Sequence, residues 1–161
     1  MGRLIFALER LDPTHKPKLI NIIKDLLDNQ QFNENFRRIN GVTTLINELK
    51  RSQSNFILKM SLLACIYKLL LTTKTEVIYD FKLNNFTTLI SLKLREPLDF
   101  KEMIYNVKIL THLMLDNDMS SKYIEDGLED AIGLLVRSHP LNCHMIKFED
   151  IEEKHEAQAF D

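Results

Sequence analysis

Three residues near the C-terminal end, His139, Cys143 and His144, are of the types that bind zinc, because imidazole nitrogens and a thiolate suit a tetrahedral site. They straddle Pro140 and lack a fourth ligand at a zinc-site spacing, so neither a metal nor any other cofactor is expected. Asp116-Asn117-Asp118 has the oxygen donors of a calcium loop without the glycine and terminal glutamate that complete one, and it reads as a helix-end turn. His112 stands beside Leu110, Leu113 and Met114, the setting of a packed or rim histidine rather than of a general base. Cys65 lies in an apolar run, where a reduced thiol behaves as a small hydrophobe. There is no glycine-rich phosphate loop, no nucleophile elbow and no paired-carboxylate setting. Phe36-Arg37-Arg38 and Lys50-Arg51 have the charge to meet phosphates. At a formal net charge of −2, however, the chain has no basic stripe, and nucleic acid is not an expected partner. These residue types point away from catalysis.

The elements that carry these residues read as helices. Of 161 residues, 45% are hydrophobic, enough for a buried core, and only four glycines and four prolines are present, too few for the many turns of a β-sandwich. No apolar run reaches the roughly 20 residues of a membrane span. The opening Met1-Gly2-Arg3-Leu4-Ile5-Phe6-Ala7-Leu8 is cut short by Glu9-Arg10, which favours an amphipathic helix over a signal peptide or a myristoylated start. Two cysteines, Cys65 and Cys143, make no disulfide framework, and a reducing, cytoplasmic setting is expected.

The pattern predicts a first helix over Leu4 to Leu11, stopped by Asp12-Pro13, and a second from Pro17, whose missing N–H suits a first turn. Asn29 to Asn35 is polar and reads as a turn between units. Further helices are expected over 36–39, 42–50, 55–71, 77–83, 86–94, 100–116, 121–125 and 128–137. Three stretches resemble one another: Ile39 to Ile46, Leu83 to Ile90 and Glu125 to Ile132. Their expected turn residues, Gly41, Asn85 and Gly127, stand 44 and then 42 positions apart. Leu27, Leu71 and Leu113 each precede that residue by fourteen positions, and Phe36, Phe81 and Tyr123 place an aromatic four or five residues before it. Glycine, and asparagine among the other residues, tolerates the positive φ that such a turn demands. A period of roughly 40–47 residues is the signature of helical repeats that stack their apolar faces on their neighbours.

This recurrence, with Gly41-Val42-Thr43-Thr44-Leu45-Ile46 as its best copy, resembles the armadillo repeat family over about residues 17–140. The resemblance implies an all-α, armadillo-like solenoid, a right-handed superhelix of three-helix repeats. Its repeats fall at approximately 4–35 (partial), 36–76, 77–119 and 120–146 within a single domain 1–146. Residues 147–161 form an acidic tail or capping helix. It further implies a non-catalytic protein-interaction scaffold that binds a peptide or helix of a partner on its third helices. The polar residues available there are Lys24, Lys59, Tyr67, Lys68, Lys101, Asn106, Lys108 and His112, whose lysines favour an acidic partner. The asparagine ladder of some family members is missing. The chain is also short for a long groove, which keeps open two alternatives: a formin-type regulatory armadillo domain, and a structural subunit assembled end to end in a cytoskeletal or ciliary complex.

Overall fold

Short polar side chains set where the helices begin. The Asn29 carboxamide accepts the Phe32 N–H at 2.9 Å, Asn55 accepts that of Leu58 at 3.1 Å, and Asp99 accepts that of Lys101 at 2.9 Å. Each satisfies an N–H that the first helical turn leaves unpaired. The computed structural model describes residues 2–52, 54–72, 76–94 and 99–115, and all eight elements among them are α-helices. These are α1 Gly2–Arg10, α2 Lys16–Leu26, α3 Gln30–Arg38, α4 Gly41–Arg51, α5 Phe56–Thr72, α6 Glu76–Leu83, α7 Phe86–Leu94 and α8 Phe100–Met114. The third sequence copy with its turn at Gly127, the residues His139, Cys143 and His144, and the tail 147–161 lie outside the described residues.

Two sequence expectations are corrected. Asn29 to Asn35 is not a turn: apart from its cap Asn29 it belongs to α3, with Phe32 half-buried and Asn33 and Phe36 buried on one face. The polar composition of the segment hid that face. Gly41 is not the left-handed residue of its turn; Asn40 is, at φ 61°, and Gly41 opens α4. Asn85, at φ 49°, is left-handed as expected and immediately precedes α7. Asn40 and Asn85 are therefore the equivalent residues, and buried Phe36 and Phe81 each stand four positions before them. Gly41 is required for a different reason. A Cβ there would come within 2.6 Å of the Phe36 ring and of the Phe36 carbonyl oxygen.

α5 is the longest helix, and seven of its side chains are buried: Leu58, Leu62, Leu63, Cys65, Ile66, Leu69 and Leu70. Each fully buried leucine or isoleucine stabilises the fold by about 1.5–3 kcal/mol relative to exposure. α5 packs on both α2 and α8, giving the order α2–α5–α8. α4 packs on α1, α3, α5 and α6, and α7 packs on α6 and α8. One continuous core runs through these contacts from Leu8 to Leu113.

Polar contacts join segments about one repeat length apart. Arg37 Nε donates to Asp80 Oδ2 at 3.0 Å across 43 positions. Lys59 Nζ donates to Glu102 Oε2 at 2.6 Å, also across 43, and Asn84 Nδ2 donates to Thr43 Oγ1 at 3.1 Å across 41. Asn33 Nδ2 donates to Thr72 Oγ1 at 3.0 Å across 39 positions. Lys16 pairs with Glu48, whose other carboxylate oxygen accepts from Arg51 at 3.2 Å.

Candidate interaction surface

α8 carries a polar stripe along one side: Lys101, Tyr105, Lys108 and His112, spaced 4, 3 and 4 residues apart, which is one face of a helix. α5 meets this stripe through Tyr67. The Tyr67 ring lies 6.3 Å from that of Tyr105 at an interplanar angle of 73°, and 5.5 Å from the His112 ring. Lys108 Nζ stands 5.5 Å from the Tyr67 centroid, a cation–π contact worth roughly 0.5–1 kcal/mol where water has access. The neighbouring Lys68 reaches the other way and holds Asp28, at the end of α2, with Nζ 2.6 Å from Oδ1. Tyr67, Tyr105, Lys108 and His112 are all partly accessible.

The structure thus brings Tyr67, Lys108 and His112 together and sets Lys68 beside them on α5. Tyr105 joins the group although the sequence reading passed over it; its place three residues before Lys108 on one stripe was the available signal. Lys101 is exposed at the start of the same stripe, and Lys24 is half-buried on α2. Two expected members are placed elsewhere. Lys59 is only 13% exposed and is held by Glu102, and Asn106 is fully buried with neither carboxamide atom hydrogen-bonded. Both are core residues. Asn106 lies on the α8 face of Glu102, Ile109 and Leu113, which the i, i+4, i+7 spacing already marked as inward.

The charge of the three helices is lopsided. α2, α5 and α8 together hold seven lysines against Asp25 and Glu102; Lys16 and Lys59 are taken up inside by Glu48 and Glu102 and Lys68 holds Asp28, which leaves Lys18, Lys24, Lys101 and Lys108 accessible. α5 holds no acid at all. Exposed leucines stand at or next to the C-terminal end of each of the three helices: Leu26, Leu71 and Leu115. The surface can therefore pair carboxylates, stack on two tyrosines and cover apolar side chains.

Among the described residues no three His, Cys, Asp or Glu side chains gather as metal ligands, and no helix is long and apolar enough to cross a membrane. Burial pushes the Cys65 thiol up from 9.0 to about 12, so it stays protonated and unreactive in the folded chain. The Asp12 carboxyl is held below its ordinary value by hydrogen bonds from the Thr14 hydroxyl and the Thr14 N–H, a local turn ahead of α2. Compared with family models, with curated proteins and with solved structures, the chain matches none.

Proposed function

We propose that the chain is an armadillo-like solenoid acting as a non-catalytic protein-interaction scaffold, with a peptide or helix of an acidic partner held along α2–α5–α8. The observation that carries this reading is the helix order itself: α5 packed on both α2 and α8, accessible Lys18, Lys24, Lys101 and Lys108 against exposed Asp25 on these three helices, and an aromatic cluster at the α5–α8 junction. Polar contacts that recur about one repeat length apart, and two left-handed asparagines 45 positions apart, support the repeat reading. Such repeats bury their apolar faces on neighbours and leave an extended surface for partners.

The test compares affinity capture from native lysate by the chain and by a Lys24→Glu, Lys68→Glu, Lys108→Glu variant. None of these three lysines is buried, so the variant keeps the core intact. A partner held by the parent and lost by the variant is the expected result. Equal capture by both sinks the assignment of binding to these helices.

The second reading, a structural subunit assembled end to end, draws on the exposure of Phe6 and Ile22, each 53% accessible on the first two helices. Sedimentation analysis separates the two: a scaffold stays monomeric across concentrations, and a structural subunit associates.

A further inference from the structure

α5 is apolar almost all round, and its only charged residues are Lys59 and Lys68. A helix of that kind normally lies buried on every side. α5 does not. Opposite its buried residues it keeps an accessible strip of Ile57, Met60, Ala64, Tyr67 and Leu71, with Ile57 68% and Leu71 47% exposed. The spacings are 3, 4, 3 and 4, the a and d pattern of a helix that receives another helix. From Ile57 to Leu71 the strip is about 21 Å long at the helical rise. Side-chain contacts fix its two edges. Tyr67 turns to α8, where its ring meets those of Tyr105 and His112, and Lys68 turns to Asp28 beyond the end of α2. Ile57, Ala64 and Leu71, seven residues apart, lie between those two directions. Accessible Lys24 stands four positions before Asp28 at one edge, and Lys108 lies over the Tyr67 ring at the other.

We infer that this strip receives a helix of an acidic partner protein, with apolar side chains at that helix's own a and d positions and carboxylates at its e and g positions facing Lys24 and Lys108. The inference deepens the reading of α2–α5–α8 as the partner-binding face and rests on it. An extended peptide needs side chains that satisfy its backbone N–H and C=O groups. Between Ile57 and Leu71 the strip offers only the Ser61 and Tyr67 hydroxyls, since the Lys68 ammonium already holds Asp28. A helix satisfies its own backbone and asks for apolar cover instead. Small Ala64 in the middle of the strip leaves room for a large side chain of that helix. A second copy of this chain would set one lysine-bearing rim against another, and like charges repel at that range. The carboxylates must come from a partner, because the one accessible acid of the three helices is Asp25.

The probe is a fluorescein-labelled synthetic helix of about two heptads, with leucine at a and d and glutamate at e and g, titrated with the full chain and read by fluorescence anisotropy. Saturable binding is expected. An Ile57→Glu, Leu71→Glu variant, changed only at exposed positions, should bind at least about tenfold more weakly. A second peptide with lysine at e and g should bind the parent about tenfold more weakly than the first, and a Lys24→Glu, Lys108→Glu variant should reverse that order. Equal binding of a proline-interrupted peptide of the same composition, an order that does not reverse, or no saturation by the parent overturns the inference. Dimerisation of the parent that Ile57→Glu, Leu71→Glu abolishes gives the strip to a second copy and overturns it as well. Lysate capture by the parent and the Lys24→Glu, Lys68→Glu, Lys108→Glu form tests the underlying reading separately. Lysine-dependent capture without peptide binding retires the helix and leaves the scaffold reading standing. Capture indifferent to the lysines sinks that reading, and the peptide titration still decides what the strip receives.

Discussion

The Lys59–Glu102 pair gives the sharpest quantitative test of how α5 and α8 are joined. The two side chains are 13% and 3% exposed, and Nζ lies 2.6 Å from Oε2 while Oε1 has no partner. Lys59→Met leaves a carboxylate buried without its counter-charge, which typically costs about 3–5 kcal/mol. Glu102→Leu installs the residue type that α5 carries 44 positions earlier, at buried Leu58, but strands the ammonium, for a loss of about 1–3 kcal/mol. The double variant removes both charges and the unpaired Oε1 together. It should lie within about 1 kcal/mol of the parent or exceed it, because replacing a buried pair by apolar side chains is often neutral or stabilising. The coupling read from the cycle is then at least about 3 kcal/mol, a large share of the roughly 5–15 kcal/mol that holds a domain together. Urea unfolding of the four forms, followed by circular dichroism, measures it. Single losses below about 1 kcal/mol, or a double loss equal to the sum of the singles, would refute a buried, mutually dependent pair.

Gly41→Ala should destabilise by about 1–3 kcal/mol, more than helix propensity returns, because its Cβ meets the Phe36 carbonyl oxygen at 2.6 Å; a neutral or stabilised variant in thermal melts contradicts that contact. Asn40→Ala should lose about 1–2 kcal/mol from the left-handed position, and an equal melting temperature would count against the turn. Asn106→Leu, matching buried Leu62 of α5, should stabilise by about 1–3 kcal/mol by removing two orphaned polar atoms. A drop in its urea midpoint would mean that the carboxamide is satisfied after all. For Cys65 the folded value, raised from 9.0 to about 12, means that the unfolded chain sheds the proton first. The contribution is full below pH 9 and is lost by about 1.4 kcal/mol per pH unit as pH rises from 9 towards 12. The stability difference between the chain and a Cys65→Ala variant should stay constant below pH 9 and change only in that window; a difference constant throughout would show the thiol to be solvated.

The helices with strong apolar stripes were legible in the sequence. α7 falls at 86–94 as expected, and α5 is displaced by one residue at each end, because their cores are unbroken leucine and isoleucine spacings bounded by polar turns. α3 was not legible, since its buried positions include an asparagine: Asn33 is inside because its carboxamide finds the Leu27 carbonyl and Thr72 Oγ1. The turn was found but misplaced by one residue at Gly41, where glycine's permissiveness was the obvious reading and its lack of a side chain was the operative one. At the candidate surface, residue type misled. Lysine and asparagine are usually solvated, yet Lys59 and Asn106 follow helix periodicity inward. The Tyr67–Tyr105–Lys108–His112 grouping needed the relative rotation of two helices, which no single stripe encodes.

The spacing of the cross-helix polar contacts has a consequence for how the chain acquires its shape. The bonds Lys16–Glu48, Asn33–Thr72, Thr43–Asn84, Arg37–Asp80 and Lys59–Glu102 close loops of 32, 39, 41, 43 and 43 positions. Closure entropy grows only as the logarithm of loop length, so all five cost the same to within about 0.3 kcal/mol. In every case the partner lies upstream by one such interval, so each bond waits only for the helix that completes it. During synthesis each newly emerged segment therefore meets a surface that already exists, and assembly can proceed from the N-terminal side in equal steps.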